Sequence, residues 1–226
     1  MTQNNNRKPK ASSGSIKLEP LSLAQSKYIQ SIQENIVSVG LGFAGSGKTY
    51  IAATLAAQFK IDNQKNGKIV LCRPNESDSR SIGYLKGDLG EKMAPWVIPY
   101  TDVLKKHLNG KIEEYIANNT IEIVPFEYMQ GRSWDSAFII LDEAQHTTPK
   151  EMEMFLKRVG EGSKVVISGD LNQAKRGHTS GLNQIVNMVA SKDVLQSYIG
   201  VTEFNDPNDI VRSEFCRVIT EVYSKS

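Results

Sequence analysis

A glycine-rich segment at positions 42–49, GFAGSGKT, has residue types that bind phosphate. It matches the pattern G-x-x-x-x-G-K-[ST] in full and lies between an apolar run and an amphipathic run. Its glycines let backbone N–H groups turn toward a phosphate, and the positive end of the following helix dipole adds to this attraction. We expect Lys48 to reach the β- and γ-phosphates and the Thr49 hydroxyl to bind Mg²⁺. The residues assigned to phosphate binding are Gly42, Gly45, Ser46, Gly47 and Lys48.

Two acidic residues, Asp142 and Glu143, directly follow the apolar run AFIIL. If this run is a parallel strand, both acids lie at the carboxyl edge of the sheet, where ligands bind in open α/β folds. We expect Asp142 to hold Mg²⁺ through water and Glu143 to polarise the attacking water. The alternative role, a helix N-cap, is weakened by the phosphate loop in the same chain.

A third polar segment, GDLNQ at 169–173, follows the apolar run KVVIS. An amide just past a strand end, beside the γ-phosphate, could sense hydrolysis, and Gln173 is the residue that we assign to this role. By itself the pentapeptide is also typical of an ordinary turn. Its position after the two other motifs favours the functional interpretation.

The elements that must position these motifs alternate along the chain. Short β-branched runs without polar alternation predict parallel strands that are covered on both faces, and amphipathic segments lie between them. This pattern predicts a three-layer α/β fold with a mostly parallel central sheet, and the phosphate loop indicates a P-loop NTPase. The predicted strands are 36–41, 68–72, 121–124, 137–141 and 164–168, with an edge strand within 196–204. The predicted helices are 23–35, 48–60, 97–107, 149–158, 181–190 and 209–223, the last with an N-cap at Asn208 or Asp209, and 73–95 is predicted as a long connection.

Composition limits the class of protein. The 226 residues have a formal charge of +2, but positions 1–17 carry four basic residues and no acid. We therefore predict a flexible basic tail at 1–17, either a nucleic-acid-binding arm or a solubilising leader, and a domain at 18–226 that is slightly acidic. Two distant cysteines, Cys72 and Cys216, predict reduced, buried thiols in a cytoplasmic protein. Neither a signal peptide nor a membrane-spanning run is expected.

Together, the three motifs resemble the first, second and third motifs of superfamily 1 helicase cores. Gln25, one helix upstream of the phosphate loop, resembles the adenine-reading glutamine of that group. Over about residues 18–223 the chain is more similar to the PhoH-like family of ATPases. The segments that carry this second resemblance are RP at 73–74, IGYLKGD at 82–88, EKMAPW at 91–96, Tyr100, QGR at 130–132, DEAQ at 142–145 and DIVR at 209–212.

The resemblance implies an ATPase with one RecA-like domain that uses ATP and Mg²⁺. The family is named for induction under phosphate starvation, and some relatives are fused to RNA-binding or PIN nuclease domains, which implies a role in RNA metabolism. The chain departs from the family pattern at Lys86, His146, 174–176 and Ser213. None of these positions carries the phosphate chemistry.

One RecA-like domain does not make a superfamily 1 helicase, because a second domain supplies the arginines that complete the ATP site. This chain either completes the site in cis or receives an arginine from another subunit. A heterologous interface that closes produces a ring, and we favour a homohexamer, both because a neighbouring subunit could then supply the arginine and by analogy with the family. The candidate arginines are Arg212, Arg132 and Arg176.

Two other functions fit the same motifs. One is a nucleotide-gated protein that hydrolyses ATP slowly and binds RNA or assembles. The other is a metal-dependent ribonuclease that uses Asp142, Glu143 and Asp170 to activate water. Binding of RNA or single-stranded nucleic acid would draw on the tail, on an assembled pore or on base stacking. The aromatic residues Trp96, Tyr100 and Trp134 are available for stacking, although core packing is their more usual role.

Overall fold

The apolar runs form one six-stranded sheet. The computed structural model describes residues 15–74, 89–129, 131–173 and 179–224. All neighbouring strands are parallel, in the order β3-β2-β4-β5-β1-β6, which confirms the predicted α/β class. The strands are β1 Val37–Gly42, β2 Lys68–Arg73, β3 Ile121–Pro125, β4 Ala137–Leu141, β5 Lys164–Gly169 and β6 Ile199–Phe204.

Helices cover both faces of the sheet. Helices α1 to α4 enclose one buried apolar cluster, and α5 and α6 enclose a second cluster on the opposite face. Four buried alanines of α2, at 52, 53, 56 and 57, provide a small-residue face in the first cluster. The helices are α1 Leu23–Glu34, α2 Lys48–Asn63, α3 Leu89–His107, α4 Ile112–Ala117, α5 Pro149–Leu156, α6 Gly181–Ser191, α7 Asp193–Gln196 and α8 Glu214–Ser224.

Two predicted boundaries are wrong. The last helix begins at Glu214, not at 209, because Pro207–Asp209 forms a separate 3₁₀ turn capped by Asp206. The segment after that turn is extended, and the N–H of Val211 donates to the carbonyl of Gly45 at 3.1 Å. The helix predicted to start at 97 is α3, which begins at Leu89 and contains two prolines. The remainder of the long connection, 75–88, lies outside the described residues, as do residues 1–14 of the tail.

The aromatic and cysteine side chains mostly belong to the core. Tyr100 and Trp134 are 1% and 3% exposed, which confirms core packing for both, and Trp96 is half-buried. Both cysteines are free thiols. Cys72 is buried as predicted, but Cys216 is only half-buried because α8 lies against the outside of the phosphate loop. In the described part of the chain, no helix has the length and apolar character to cross a membrane.

Tyr28 of α1 fixes that helix against the middle of β1. Its side chain is fully buried and meets the ring of Phe204 edge to face, with 5.4 Å between the ring centroids. A Cβ at Gly40 would lie 2.8 Å from Cζ of Tyr28. Position 40 therefore has room only for glycine, because any side chain there would displace the ring of Tyr28 or the helix α1.

We expect Gly40→Ala to lower the free energy of unfolding by about 1–3 kcal/mol, the usual cost of overpacking. In a Tyr28→Leu background the same substitution should cost much less, because the smaller side chain leaves room for the methyl group. Urea denaturation of the wild type, both single variants and the double variant measures this coupling. If the two substitutions change the free energy of unfolding additively, the close contact between Tyr28 and position 40 is contradicted.

Candidate functional site

The carboxyl edge of the sheet opens into a cleft of about 550 Å³. The phosphate loop after β1, the acids after β4, the turn after β5 and the segment before α8 all line it. Because β5 pairs with β1 on one side and β4 on the other, its turn lies between the phosphate loop and the acids. The predicted site residues that line the cleft are Gly42, Gly45, Ser46, Gly47, Lys48, Thr49, Asp142, Glu143, Gln173 and Arg212.

Two glycines set the shape of the phosphate loop. Gly42 has a φ of +112° and Gly47, the residue before α2, has a φ of +83°, values that L side chains rarely adopt. A Cβ at Gly42 would also overlap the carbonyl oxygen of Phe204, and one at Gly47 would lie 2.8 Å from Nε2 of Gln25. Conformation and space therefore both require glycine at these positions.

Lys48 is the first residue of α2, and its side chain folds over the phosphate loop. The ammonium group donates to the carbonyl oxygens of Gly42 and Phe43 at 2.8 and 2.7 Å, and to Oγ of Ser46 at 3.1 Å. It also lies 5.5 Å from the ring centroid of Phe204. The loop carbonyls thus hold the positive charge at the mouth of the loop, where a phosphate would meet it.

Burial changes the charge state of this lysine. It lowers the pKa of Lys48 to about 8, although the negative charges of Asp170, Asp142 and Glu143 oppose the shift. The three carboxylates therefore only partly replace the water that the ammonium has lost. An anion bound beside Lys48 would favour its charged form and raise this pKa.

The acidic pair continues directly from β4. The N–H of Asp142 donates to the carbonyl of Cys72 at 3.0 Å, which extends the strand pairing by one residue. Burial, and then the charge of Glu143, raises the pKa of Asp142, while the nearby Tyr100 hydroxyl and then the charge of Arg73 act in the opposite direction. Nη2 of Arg73 lies 3.9 Å from Oε1 of Glu143, with 24% and 32% of their side chains exposed. Solvent screens such a pair, so Arg73 orients Glu143 more than it stabilises the fold.

The Tyr100 hydroxyl is enclosed beside the predicted metal ligands. Among the described residues it makes no hydrogen bond of normal distance and angle, yet Asp142 and Thr49 are close enough to perturb it. Burial and the negative charge of Asp142 raise the pKa of Tyr100 well above its usual value, so the hydroxyl stays protonated. A hydroxyl, a carboxylate and a nearby phenol suit a hard cation that keeps part of its water, as Mg²⁺ does. Within the described ranges, no three His, Cys, Asp or Glu side chains cluster as metal ligands.

The side chain of Asp170 stabilises the turn that follows β5. Asp170 accepts the N–H of Asn172 through Oδ1 and the Nε2 of Gln173 through Oδ2, both at 3.0 Å. Gln173 is exposed and lines the cleft. The structure therefore brings Gln173 to the site, while its sensing role stays a prediction.

Gln25 lies beneath the phosphate loop and is only 4% exposed. Its Nε2 donates to the carbonyl of Ser46 at 3.0 Å, and its Oε1 accepts the N–H of Leu21 at 2.8 Å. It is not among the residues that line the described cleft. In this structure Gln25 supports the loop, and adenine reading stays a prediction.

The candidate arginines lie in different places. Arg212 lines the cleft, and a Cβ added at Gly45 would lie 3.3 Å from the Cβ of Arg212. Arg132 instead pairs with Glu122 of β3, at 2.8 Å, on the strand at the far edge of the sheet from β6. Arg176 lies outside the described residues. Of these two described arginines, Arg212 is the one placed to act on the cleft of its own chain.

Arg73, Tyr100 and Gln145 all lie in segments that carry the family resemblance, but the sequence assigned none of them a role in the phosphate chemistry. The pairing of Cys72 with Leu141 puts Arg73 beside Asp142. This strand register is the signal that could have found it. Tyr100 and Gln145 are buried, and their contacts depend on the packing of α3 and of the turn after β4.

Comparison with known proteins agrees with this geometry. Residues 17–224 match the family described as PhoH-like protein. A PhoH-like protein of Bacillus subtilis is 39% identical over 210 residues, which are 90% of this chain and 63% of the relative. Protein PhoH of Escherichia coli is 35% identical over 206 residues, 89% of this chain and 56% of the relative. The chain therefore spans about three fifths of the length of these relatives.

A solved structure shows the same fold. The large terminase of bacteriophage HK97 superposes with a TM-score of 0.55 and 14% identity, over 95% of this chain and 48% of that chain. At this identity the similarity concerns the α/β fold alone. The family match over nearly the whole chain is more specific, and the protein belongs to the PhoH-like family.

Proposed function

We propose that the protein is a Mg²⁺-dependent ATPase. The observation that carries this proposal is the convergence of Lys48, Thr49, Asp142 and Glu143 on one cleft at the carboxyl edge of the sheet. Lys48 and the loop N–H groups bind the phosphates, and Glu143 accepts the proton of the attacking water. Nη2 of Arg73, 3.9 Å from Oε1 of Glu143, orients the carboxylate.

Thr49 and Asp142 are the residues that would hold the metal. When bound, Mg²⁺ neutralises part of the charge of the β- and γ-phosphates. The enclosed Tyr100 hydroxyl beside both side chains supports this assignment, because a bound cation and its water would give the phenol a hydrogen-bond partner.

We also infer that the protein assembles as a ring, with a hexamer favoured, and acts in RNA metabolism in the cytoplasm. Helix α8 supports association, because five of its large apolar side chains are between 41% and 76% exposed. A second copy of the chain that covers this face would lie beside the nucleotide cleft. The link to RNA rests on the family resemblance and awaits assays with RNA.

Glu143→Gln should keep nucleotide affinity but lower kcat by about 100-fold or more, because the amide cannot accept a proton. Phosphate release and binding of a fluorescent ATP analogue measure the two effects separately. Glu161→Gln, an exposed change in the loop before β5, is the matched control. Turnover near the wild-type rate in the Glu143 variant would exclude the assigned role.

ATP binding should take up a proton above pH 8. The pKa of Lys48 is about 8 in the free protein, and bound phosphates raise it. Between these two pKa values the affinity for ATP should fall by up to about tenfold per pH unit, whereas well below pH 8 the lysine is already charged and the dependence is lost. Calorimetry in two buffers of different ionisation enthalpy measures the uptake. Lys48→Met should abolish the pH dependence together with most of the affinity, and equal heats in both buffers for the wild type would contradict the shift.

Arg212 should complete the ATP site of its own chain, because it lines the same cleft as Glu143. Mixing Arg212→Ala and Glu143→Gln subunits should then restore no turnover. If the arginine acted on a neighbouring subunit, mixed assemblies would contain intact sites and regain activity. Subunit exchange is verified first with two differently labelled wild-type samples.

A further inference from the structure

We propose that Gln145 is a positioning residue that holds the Glu143 carboxylate and links it to the turn after β5. The inference rests on the proposed role of Glu143 in hydrolysis and adds a residue through which that role is organised. Gln145 lies in the 3₁₀ turn Ala144–His146 and is fully buried. It does not line the cleft, so it acts through its neighbours.

Both ends of the Gln145 amide are used. Nε2 donates to Oε2 of Glu143 at 2.6 Å, and Oε1 accepts the N–H of Asp170 at 3.2 Å. A carboxylate can only accept and a backbone N–H can only donate, so the amide cannot rotate by half a turn without losing both bonds. These donor and acceptor requirements therefore determine the orientation of the Gln145 amide, and the amide in turn holds Oε2 of Glu143 in place.

The backbone of Glu143 shows why it needs such a contact. Its φ is 53°, in the left-handed region that residues with a side chain rarely adopt. Its carbonyl accepts the N–H of His146 at 3.0 Å, which closes the turn. With Oε2 bound to Gln145 and Oε1 facing Arg73, the carboxylate keeps a single direction toward the cleft.

The other end of the Gln145 amide lies beside Gly169. A Cβ at this last residue of β5 would lie 2.5 Å from Cδ2 of Leu182 and 2.7 Å from Oε1 of Gln145, so these two side chains together occupy the space of a side chain at 169. The next residue, Asp170, binds both the amide of Gln145 and the side chain of Gln173. A continuous chain of hydrogen bonds thus runs from Glu143 after β4 to Gln173 after β5. A change in the carboxylate of Glu143 is transmitted to the residue that we expect to sense the γ-phosphate.

Two substitutions separate positioning from simple core packing. Gln145→Met keeps the length of the side chain but removes both hydrogen bonds. We expect kcat to fall about tenfold or more, while KM and the affinity for a fluorescent ATP analogue change less than about threefold. Gln184→Met, an exposed change on α6, is the control with the same chemistry. A kcat within twofold of the wild type would overturn the proposal.

A swap of the two side chains tests the direct contact even if Gln145→Met folds poorly. Gln145→Glu places a second carboxylate against Glu143 and should lower both kcat and thermal stability. The double variant Glu143→Gln with Gln145→Glu restores an amide–carboxylate pair, so its stability should recover although its turnover should not. If the double variant is no more stable than Gln145→Glu alone, the proposed contact between the two side chains is contradicted.

The outcomes also distinguish this inference from the proposed function. If Glu143→Gln alone turns over ATP normally, the proposed role of Glu143 fails and the positioning role fails with it. If Glu143→Gln is inactive but Gln145→Met is active, only the positioning role fails.

Discussion

Parallel pairing of β5 with both β1 and β4 is the constraint on which the site depends. Leu41 pairs with Gly169, and Leu141 pairs with Ile167, so all three strands end at one edge. The turn after β5 is thereby held between the phosphate loop and the acids. A slip of one residue in either pairing would turn alternate side chains to the opposite face and separate these groups.

The charged groups around the cleft determine which kind of ligand it suits. Three carboxylates, those of Asp142, Glu143 and Asp170, surround Lys48, and burial disfavours the charged forms of both Asp142 and Lys48. Burying these charged groups destabilises the free protein. A ligand that brings negative phosphates together with a cation reduces this destabilisation. The same groups that weaken the free fold are thus those that would bind Mg²⁺ and a nucleotide.

The sequence predicts local chemistry better than tertiary contacts. The strands and the phosphate loop are found within about three residues, because β-branched runs and glycine spacing act locally. The start of α8 was misplaced because the bond from Val211 to Gly45 keeps the preceding segment extended. Arg73 and Gln145 were missed as site residues for a related reason, since their roles depend on strand register and on a buried turn rather than on a motif.

The bond between Val211 and the phosphate loop also has a mechanical consequence. It joins the start of the C-terminal segment to the loop that carries Lys48, and Ile219 and Tyr223 of α8 line a second hollow with Phe43 and Asp170. A displacement of α8 would therefore also change the packing of the phosphate loop. Any partner that binds the exposed face of α8 would act on a helix whose opposite side lies next to the nucleotide cleft.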